Sequence, residues 1–299
     1  MTQPVDVSAG ILVRADGAVL FAQRPASKVY AGYWEFPGGK VEPGESYRVA
    51  LDRELHEELA IEVRTAYPWL TQVFSYPHAT VRLHFFRVLD WLNEPQAREH
   101  QALAWTRLES VKLEPMLPAN SPILRSLRLP HEYAISDVAQ RGEAAFFAAL
   151  ERRLAAGLRM VQLRDRDVDP AGSTRFAQGV VERCRAAGAQ VLVDGDAALA
   201  GAVGADGVQL EAATLGKLAQ RPDCALVGAT CASRAELELA SRIGADFAVL
   251  RSDGWPRFAA LVADLPLPVY AAGGLRAADL VSAWAHGAHG LAMTRGSWE

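Results

Sequence analysis

From Tyr133 to the C-terminus, short apolar runs alternate with alanine-rich segments of helical period. This alternation limits the fold more than any other feature of the 299-residue chain. The runs are Tyr133–Ser136, Met160–Arg164, Gln190–Asp194, Gly207–Leu210, Ala225–Ala229, Phe247–Leu250, Val269–Ala272 and Gly290–Thr294, with amphipathic stretches such as Glu143–Ala156 and Phe176–Ala186 between them. Regular strand–helix alternation implies a parallel sheet. Eight units predict a closed (β/α)8 barrel, with an open doubly wound sheet as the alternative. Residues 132–299 are few against the roughly 250 typical of such a barrel, so the loops must be short. Gly204-Ala205-Asp206, Gly244-Ala245-Asp246 and Gly287-Ala288-His289 recur as helix-to-strand turns.

Residues 1–128 have a different, mixed rhythm. β-rich runs at Val5–Arg14, Val19–Gln23, Val63–Val73 and Thr80–Leu89 surround one clear helix near Ser46–Leu59, and a short helix is expected at Ile123–Leu127. Leu129-Pro130-His131 breaks that pattern and marks the boundary. The reading is two α/β domains, 1–128 and 132–299. A net charge of −4 gives no sequence-wide basic field for a nucleic-acid polymer. The N-terminus lacks the pattern of a signal peptide, and no apolar run approaches the roughly 18–20 residues that span a bilayer. A cytoplasmic protein without a membrane partner is expected. The three cysteines, Cys184, Cys224 and Cys231, show no CxxC spacing and read as inert thiols.

The chemistry is concentrated in Trp34-Glu35-Phe36-Pro37-Gly38-Gly39-Lys40-Val41-Glu42-Pro43-Gly44-Glu45 and in Arg53-Glu54-Leu55-His56-Glu57-Glu58-Leu59. Glu54, Glu57 and Glu58 fall at i, i+3 and i+4, so a helix presents them on one arc beside an apolar stripe of Leu51, Leu55 and Leu59. Crowded carboxylates repel one another unless a cation neutralises them, and oxygen ligands suit Mg²⁺ or Mn²⁺. The Gly38-Gly39 pair lets backbone approach a metal or phosphates closely. Arg53, between the two arcs, is placed to orient a carboxylate. A solvated acidic helix face is the plain alternative. His56 is expected on the solvated side of the helix, and His84 to point out of its strand.

The spacing Gly39–x5–Glu45–x7–Arg53-Glu54-Leu55-x-Glu57-Glu58-x-Ala60-Ile61 resembles the Nudix box at every position but one, with Ala60 where glycine is usual. The resemblance covers nearly all of residues 1–128 and is nearest to the MutT branch, which implies an α/β/α sandwich with a mixed sheet. It also implies metal ligation by the Gly38 carbonyl, Glu54, Glu57, Glu58 and a loop carboxylate, Glu99. Glu54 and Glu99 are the candidate bases, and Trp105 follows at the usual distance. Substrate contacts are implied at Arg24, Glu35, Phe36, Pro37, Gly38 and Asn120. Arg24 is alone where the branch often has a pair, with a solvated arginine as the alternative. Asn120 matches a base-reading asparagine, with a helix N-cap as the alternative. Ala79, beside His78, replaces a base-contacting arginine.

The second half resembles the thiamine phosphate synthase/TenI barrels through Met160–Arg166, Gly204–Leu210 and Ala272-Gly273-Gly274-Leu275. Gln162 and Arg164 match a substrate-contacting pair, and Gly273-Gly274 a phosphate-binding turn, so a small phosphorylated ligand is implied. Several departures point to lost synthase chemistry. Arg166 stands where a lysine is usual, Asp194-Gly195-Asp196 replaces an Asn-Asp pair, and Glu211-Ala212-Ala213-Thr214 replaces a magnesium-binding aspartate. The Arg251-Ser252-Asp253-Gly254-Trp255 loop is shortened. The resemblances together imply Mg²⁺-dependent hydrolysis of (8-oxo-)dGTP, a nucleoside triphosphate, to the monophosphate and pyrophosphate. Two alternatives stand beside this: hydrolysis of thiamine-related pyrophosphates assisted by the barrel, and a nucleotide-sensing module that does not turn over.

Overall fold

The computed structural model describes residues 3–164, 170–251 and 253–299. Asp165, Arg166 and Ser252, singled out with the barrel motifs, lie outside the described residues. The chain divides into two compact units, Met1–Leu129 with Ala263–Pro266, and Pro130–Val262 with Leu267–Glu299. Among the described residues no helix is long and apolar enough to cross a membrane.

The first unit contains β1 (Val5–Leu12), β2 (Val19–Gln23), β3 (Trp34–Glu35), β4 (Gly38–Lys40), α1 (Tyr47–Leu59), β5 (Glu62–Ser75), β6 (Thr80–Leu92), β7 (Ala102–Thr106) and α2 (Asn120–Leu127). One sheet runs β4-β1-β6-β5 and a smaller one β3-β2-β7. β1 lies parallel to β6 and antiparallel to β4, so the sheet is mixed. Adjacent strand residues face opposite sides, and the sequence uses this. Ile11 and Phe85 join Phe21, Phe36 and Ile123 on the α2 side. Leu12 and Phe86 join Leu51, Leu55 and Leu59 on the α1 side. Those three leucines are fully buried, and each such side chain contributes roughly 1.5–3 kcal/mol. They hold α1 firmly enough to aim its acidic arc.

Ser46 caps α1 by accepting from the Val49 N–H at 3.3 Å. At the other end Ala60 takes the left-handed conformation, φ 61° and ψ 27°, with its N–H on the His56 carbonyl. A Cβ is penalised there, so the glycine of the usual pattern has a conformational reason. Ala60→Gly is expected to stabilise the protein by about 0.5–1 kcal/mol, the relief of strain exceeding the added chain entropy. A lower urea midpoint in the variant would show that no strain is stored there.

His84 does not point out of its strand. It is 4% exposed, its Nε2 lies 2.9 Å from Asp6 Oδ1 and its Nδ1 3.2 Å from Thr71 Oγ1. Tyr47 lies over the ring at a centroid distance of 3.5 Å. The start of α1 covers this part of the sheet, which strand alternation alone does not reveal.

The second unit is the closed parallel barrel. Its strands are β8 (Glu132–Ile135), β9 (Met160–Leu163), β10 (Gln190–Asp194), β11 (Gly207–Glu211), β12 (Leu226–Cys231), β13 (Phe247–Arg251), β14 (Val269–Ala272) and β15 (Gly290–Met293). They neighbour one another in chain order, and β15 closes on β8 through Leu291 opposite Glu132. Tyr133, Phe247 and Tyr270 are fully buried and their rings meet edge to face or tilted. Burial pushes the Cys184 and Cys231 thiols up to about 12, which keeps them protonated and unreactive.

Candidate active site

Arg53 organises the acidic helix. Its guanidinium donates to both Glu45 oxygens at 2.9 and 3.0 Å, to Glu54 at 2.9 Å, to Glu57 at 3.3 Å and to the Lys40 carbonyl at 3.0 Å. The fixed interval between Glu45 and Arg53 is therefore the span from the turn before α1 to the helix's second turn. The Arg53 hydrogen bonds, helped by the Glu42 N–H, hold the Glu45 carboxyl down at about 2.

Glu54 and Glu58 occupy different electrostatic settings. Burial raises the proton affinity of Glu54, the Arg53 hydrogen bond opposes this, and the charges of Glu58 and Glu57 add to it. Burial also works against a charged Glu58. It is outweighed by the hydrogen bond from His100, by the Lys28 charge and by the Gly38 amide, so its carboxyl stays below the usual range. The Glu58 contacts are His100 Nε2 at 3.0 Å, the Gly38 N–H at 3.0 Å and Lys28 Nζ at 3.4 Å. Gly38 thus meets Glu58 through its N–H. Glu57 is half exposed and pairs with Arg53. Glu99 is exposed on the β6–β7 loop, 3.9 Å from Lys28 Nζ.

No three His, Cys, Asp or Glu side chains converge as a ready metal cage among the described residues. The expected ligands are instead shared out among internal cations, Glu54 and Glu57 to Arg53, Glu58 and Glu99 to Lys28. The donor set nonetheless suits a hard divalent cation: it is all oxygen, and Glu54 and Glu58 face one cavity with the Gly38-Gly39 backbone. A Cβ on Gly39 would fall 2.2 Å from the Glu54 carboxylate, so this carboxylate lies against bare backbone.

The cavity is about 930 Å³. Lys28, Gly38, Gly39, Glu54 and Glu58 line it together with Arg24, Glu35 and Ala79, and Tyr30, Tyr76 and His78 add an aromatic wall. The Tyr30 and Tyr76 rings lie 5.4 Å apart, and Tyr76 and His78 stack at 5.5 Å. Arg24 is not a solvated arginine. It donates to Glu35 at 2.6 Å and to the Val29 carbonyl at 2.8 Å. Burial raises the Glu35 carboxyl despite that partner.

Three residues expected at the substrate do not line this cavity. Phe36 is 4% exposed and packs between Phe21 and Phe85 in the core. Pro37 offers its carbonyl to the Gly10 N–H at 2.8 Å. Asn120 is the first residue of α2 and does not cap it, since Ala119 is the N-cap. Its buried carboxamide lies 3.7 Å from the Met116 sulfur. Its neighbour Leu117 does reach the site, where it lines the cavity. Lys28, Tyr30, Tyr76 and His100 were not picked out from the sequence, since no spacing ties them to the acidic helix. The one available signal was His100 standing next to Glu99.

In the barrel a second cavity, of about 610 Å³, opens at the C-terminal ends of β9, β10 and β11. Arg164, Asp194, Asp196 and Glu211 line it, whereas Gly273 and Gly274 form a positive-φ turn after β14 elsewhere. Gln162 is buried and donates to Asp194 at 3.1 Å. Asp196 caps the helix Ala197–Val203 through the Leu199 N–H at 2.8 Å.

Residues 4–127 match the family model described as NUDIX domain, and residues 132–296 the one described as thiamine monophosphate synthase. A CTP pyrophosphohydrolase of Escherichia coli K12 is 44% identical over 122 residues, 41% of this chain and 90% of that protein. An 8-oxo-dGTP diphosphatase of Haemophilus influenzae is 34% identical over 123 residues, 41% of this chain and 90% of that protein. A putative thiamine-phosphate synthase of Geobacter sulfurreducens is 30% identical over 177 residues, 54% of this chain and 83% of that protein.

Proposed function

The chain belongs to the NUDIX family through residues 4–127 and to the thiamine monophosphate synthase family through residues 132–296, and on that premise we propose that it hydrolyses 8-oxo-dGTP, ahead of dGTP, to the nucleoside monophosphate and pyrophosphate. It is a Nudix hydrolase, acting on nucleotide pyrophosphate linkages. The observation that carries the finer reading is a single cavity with carboxylates along one part of its wall and stacked aromatic rings along another. The first part suits a metal-bound triphosphate and the second a base.

Glu54 and Glu58, with Glu57, Glu99 and the Gly38 carbonyl, would hold Mg²⁺, for which Mn²⁺ can substitute. When bound, the cation neutralises charge gathering on the phosphate oxygens. The chain's own groups do the rest. Lys28, drawn from Glu58 and Glu99, contacts a phosphate. Glu54, whose proton affinity burial raises, takes the proton of the attacking water, with Glu99 as the other candidate. Arg53 keeps Glu54 in place. Guanine oxidised at C8 carries an N7–H donor beside its O6 acceptor, and one carboxamide can serve both. Asn120 is held by a weak sulfur contact next to the cavity-lining Leu117, and its carboxamide would turn toward the cavity to take that role.

A pyrimidine is the second reading, favoured by Ala79 in place of a base-contacting arginine and by the similarity to a CTP pyrophosphohydrolase. The barrel is read as accessory, since Asp196 is committed to capping a helix and Asp194 to Gln162.

Pyrophosphate release from 8-oxo-dGTP, dGTP and CTP, and phosphate release from thiamine pyrophosphate, separate these readings. The expected kcat/KM favours 8-oxo-dGTP by about a hundredfold over dGTP and CTP, and Asn120→Ala removes most of that preference. A preference for CTP establishes the pyrimidine reading. Turnover of thiamine pyrophosphate with a flat response to nucleotides would make the barrel's resemblance the guide to substrate.

A further inference from the structure

The β6–β7 loop is tied to the C-terminal end of α1. The Gln96 N–H donates to the Leu59 carbonyl at 2.9 Å and the Arg98 N–H to the Glu58 carbonyl at 3.1 Å, taking up two acceptors that a helix end leaves open. The third tie is between side chains. His100 Nε2 lies 3.0 Å from Glu58 Oε2, with the two side chains 1% and 3% exposed. His100 Nδ1 is buried and has no hydrogen-bond partner.

That orphan nitrogen identifies the donor. A buried N–H without an acceptor is costly, whereas a bare imidazole lone pair is tolerated. The proton therefore sits on Nε2 and is given to Glu58. The same Glu58 oxygen receives the Gly38 N–H, and the other oxygen faces Lys28. Two fixed donors on one oxygen leave the second turned to the cavity.

We propose that His100 is a positioning residue, which by donating from Nε2 fixes the Glu58 carboxylate in the orientation that presents one oxygen to a divalent cation. It also seats the loop that carries Glu99 beside the same site. This rests on the reading of Glu58 as a metal ligand given above. A purely structural His100 would only fill space under the loop. The two roles differ in what can replace the ring, because a glutamine amide reaches about as far as Nε2 while an asparagine amide stops near Nδ1.

The test uses the full chain and two readouts, Mn²⁺ affinity of the nucleotide-free protein by electron paramagnetic resonance, and kcat and KM for the preferred nucleoside triphosphate. His100→Leu and His100→Asn are expected to weaken Mn²⁺ binding and lower kcat about ten- to hundredfold, with a smaller change in KM. His100→Gln is expected to recover most of both losses. If His100→Leu fails to fold, the Asn and Gln pair carries the comparison. Mn²⁺ affinity within about twofold of wild type in the Leu and Asn variants would overturn the proposal. So would a Gln variant as impaired as Asn, since the donated hydrogen bond would then not matter. Glu58→Gln in the same assays separates the two levels of inference. If it binds Mn²⁺ normally the metal-ligand reading itself fails, and if it alone is impaired only the role of His100 fails.

Discussion

Glu58→Gln is expected to lower kcat for nucleoside triphosphate hydrolysis about 10²–10³-fold, the size of effect seen when one preorganised electrostatic group is removed from a transition-state site. The side chain is 3% exposed and takes hydrogen bonds from His100, the Gly38 amide and Lys28. An amide of the same shape keeps one acceptor but turns an NH₂ toward groups that are themselves donors. It also removes the charge that Lys28 and a divalent cation share. Glu54→Gln is expected to match this loss, since Glu54 faces the same cavity and is a candidate base. Glu57→Gln is expected to cost less, because Glu57 is 50% exposed and does not line the cavity. Steady-state kinetics with a Mg²⁺ titration for the three variants decide the order. If Glu58→Gln keeps turnover within tenfold of wild type while Glu57→Gln loses it, the cation belongs on the outer side of the helix and the assignment of the cavity is wrong.

The neighbouring glycines should fail in opposite ways. A Cβ on Gly39 would sit 2.2 Å from the Glu54 carboxylate, the free end of a flexible side chain. Gly39→Ala is therefore expected to fold normally but to push Glu54 out of place, with activity down about a hundredfold. On Gly38 a Cβ would sit 2.1 Å from the Ser8 carbonyl oxygen, at φ +141°. Neither backbone strand can give way without breaking the β1–β4 pairing at Ala9 and Gly38. Gly38→Ala is expected to destabilise the protein by roughly 2–4 kcal/mol, strain and overpacking together. Thermal unfolding beside an activity assay resolves the two. An active Gly39→Ala, or a Gly38→Ala as stable as wild type, would mean that the close approach at that glycine is absent in solution.

Much of this was legible in the chain because it rests on local pattern. The eight barrel strands follow from apolar runs at regular spacing, and they close without the open-sheet alternative. The helix and its leucine stripe follow from the 3.6-residue period. Glu45, Arg53, Glu54, Glu57 and Glu58 could be grouped because they lie on one helix and the turn before it. Residues brought in by other elements were harder. Phe36 looked like part of the substrate turn, yet the connection between β3 and β4 turns it into the core between Phe21 and Phe85. His84 looked exposed until Tyr47 covered it.

The sequence by itself determined the two folds and pointed to the carboxylates proposed to carry the chemistry, since periodicity and helical spacing are properties of a single stretch of chain. Only the tertiary structure decided how those carboxylates are shared. It brought Lys28 and His100, 30 and 42 residues from Glu58, onto its two oxygens, and Tyr30 beside Tyr76 and His78 on the cavity wall. The physical reason is that charge and hydrogen bonding act through space. A buried carboxylate is defined by the donors that surround it, and no spacing along the chain records which donors folding will supply.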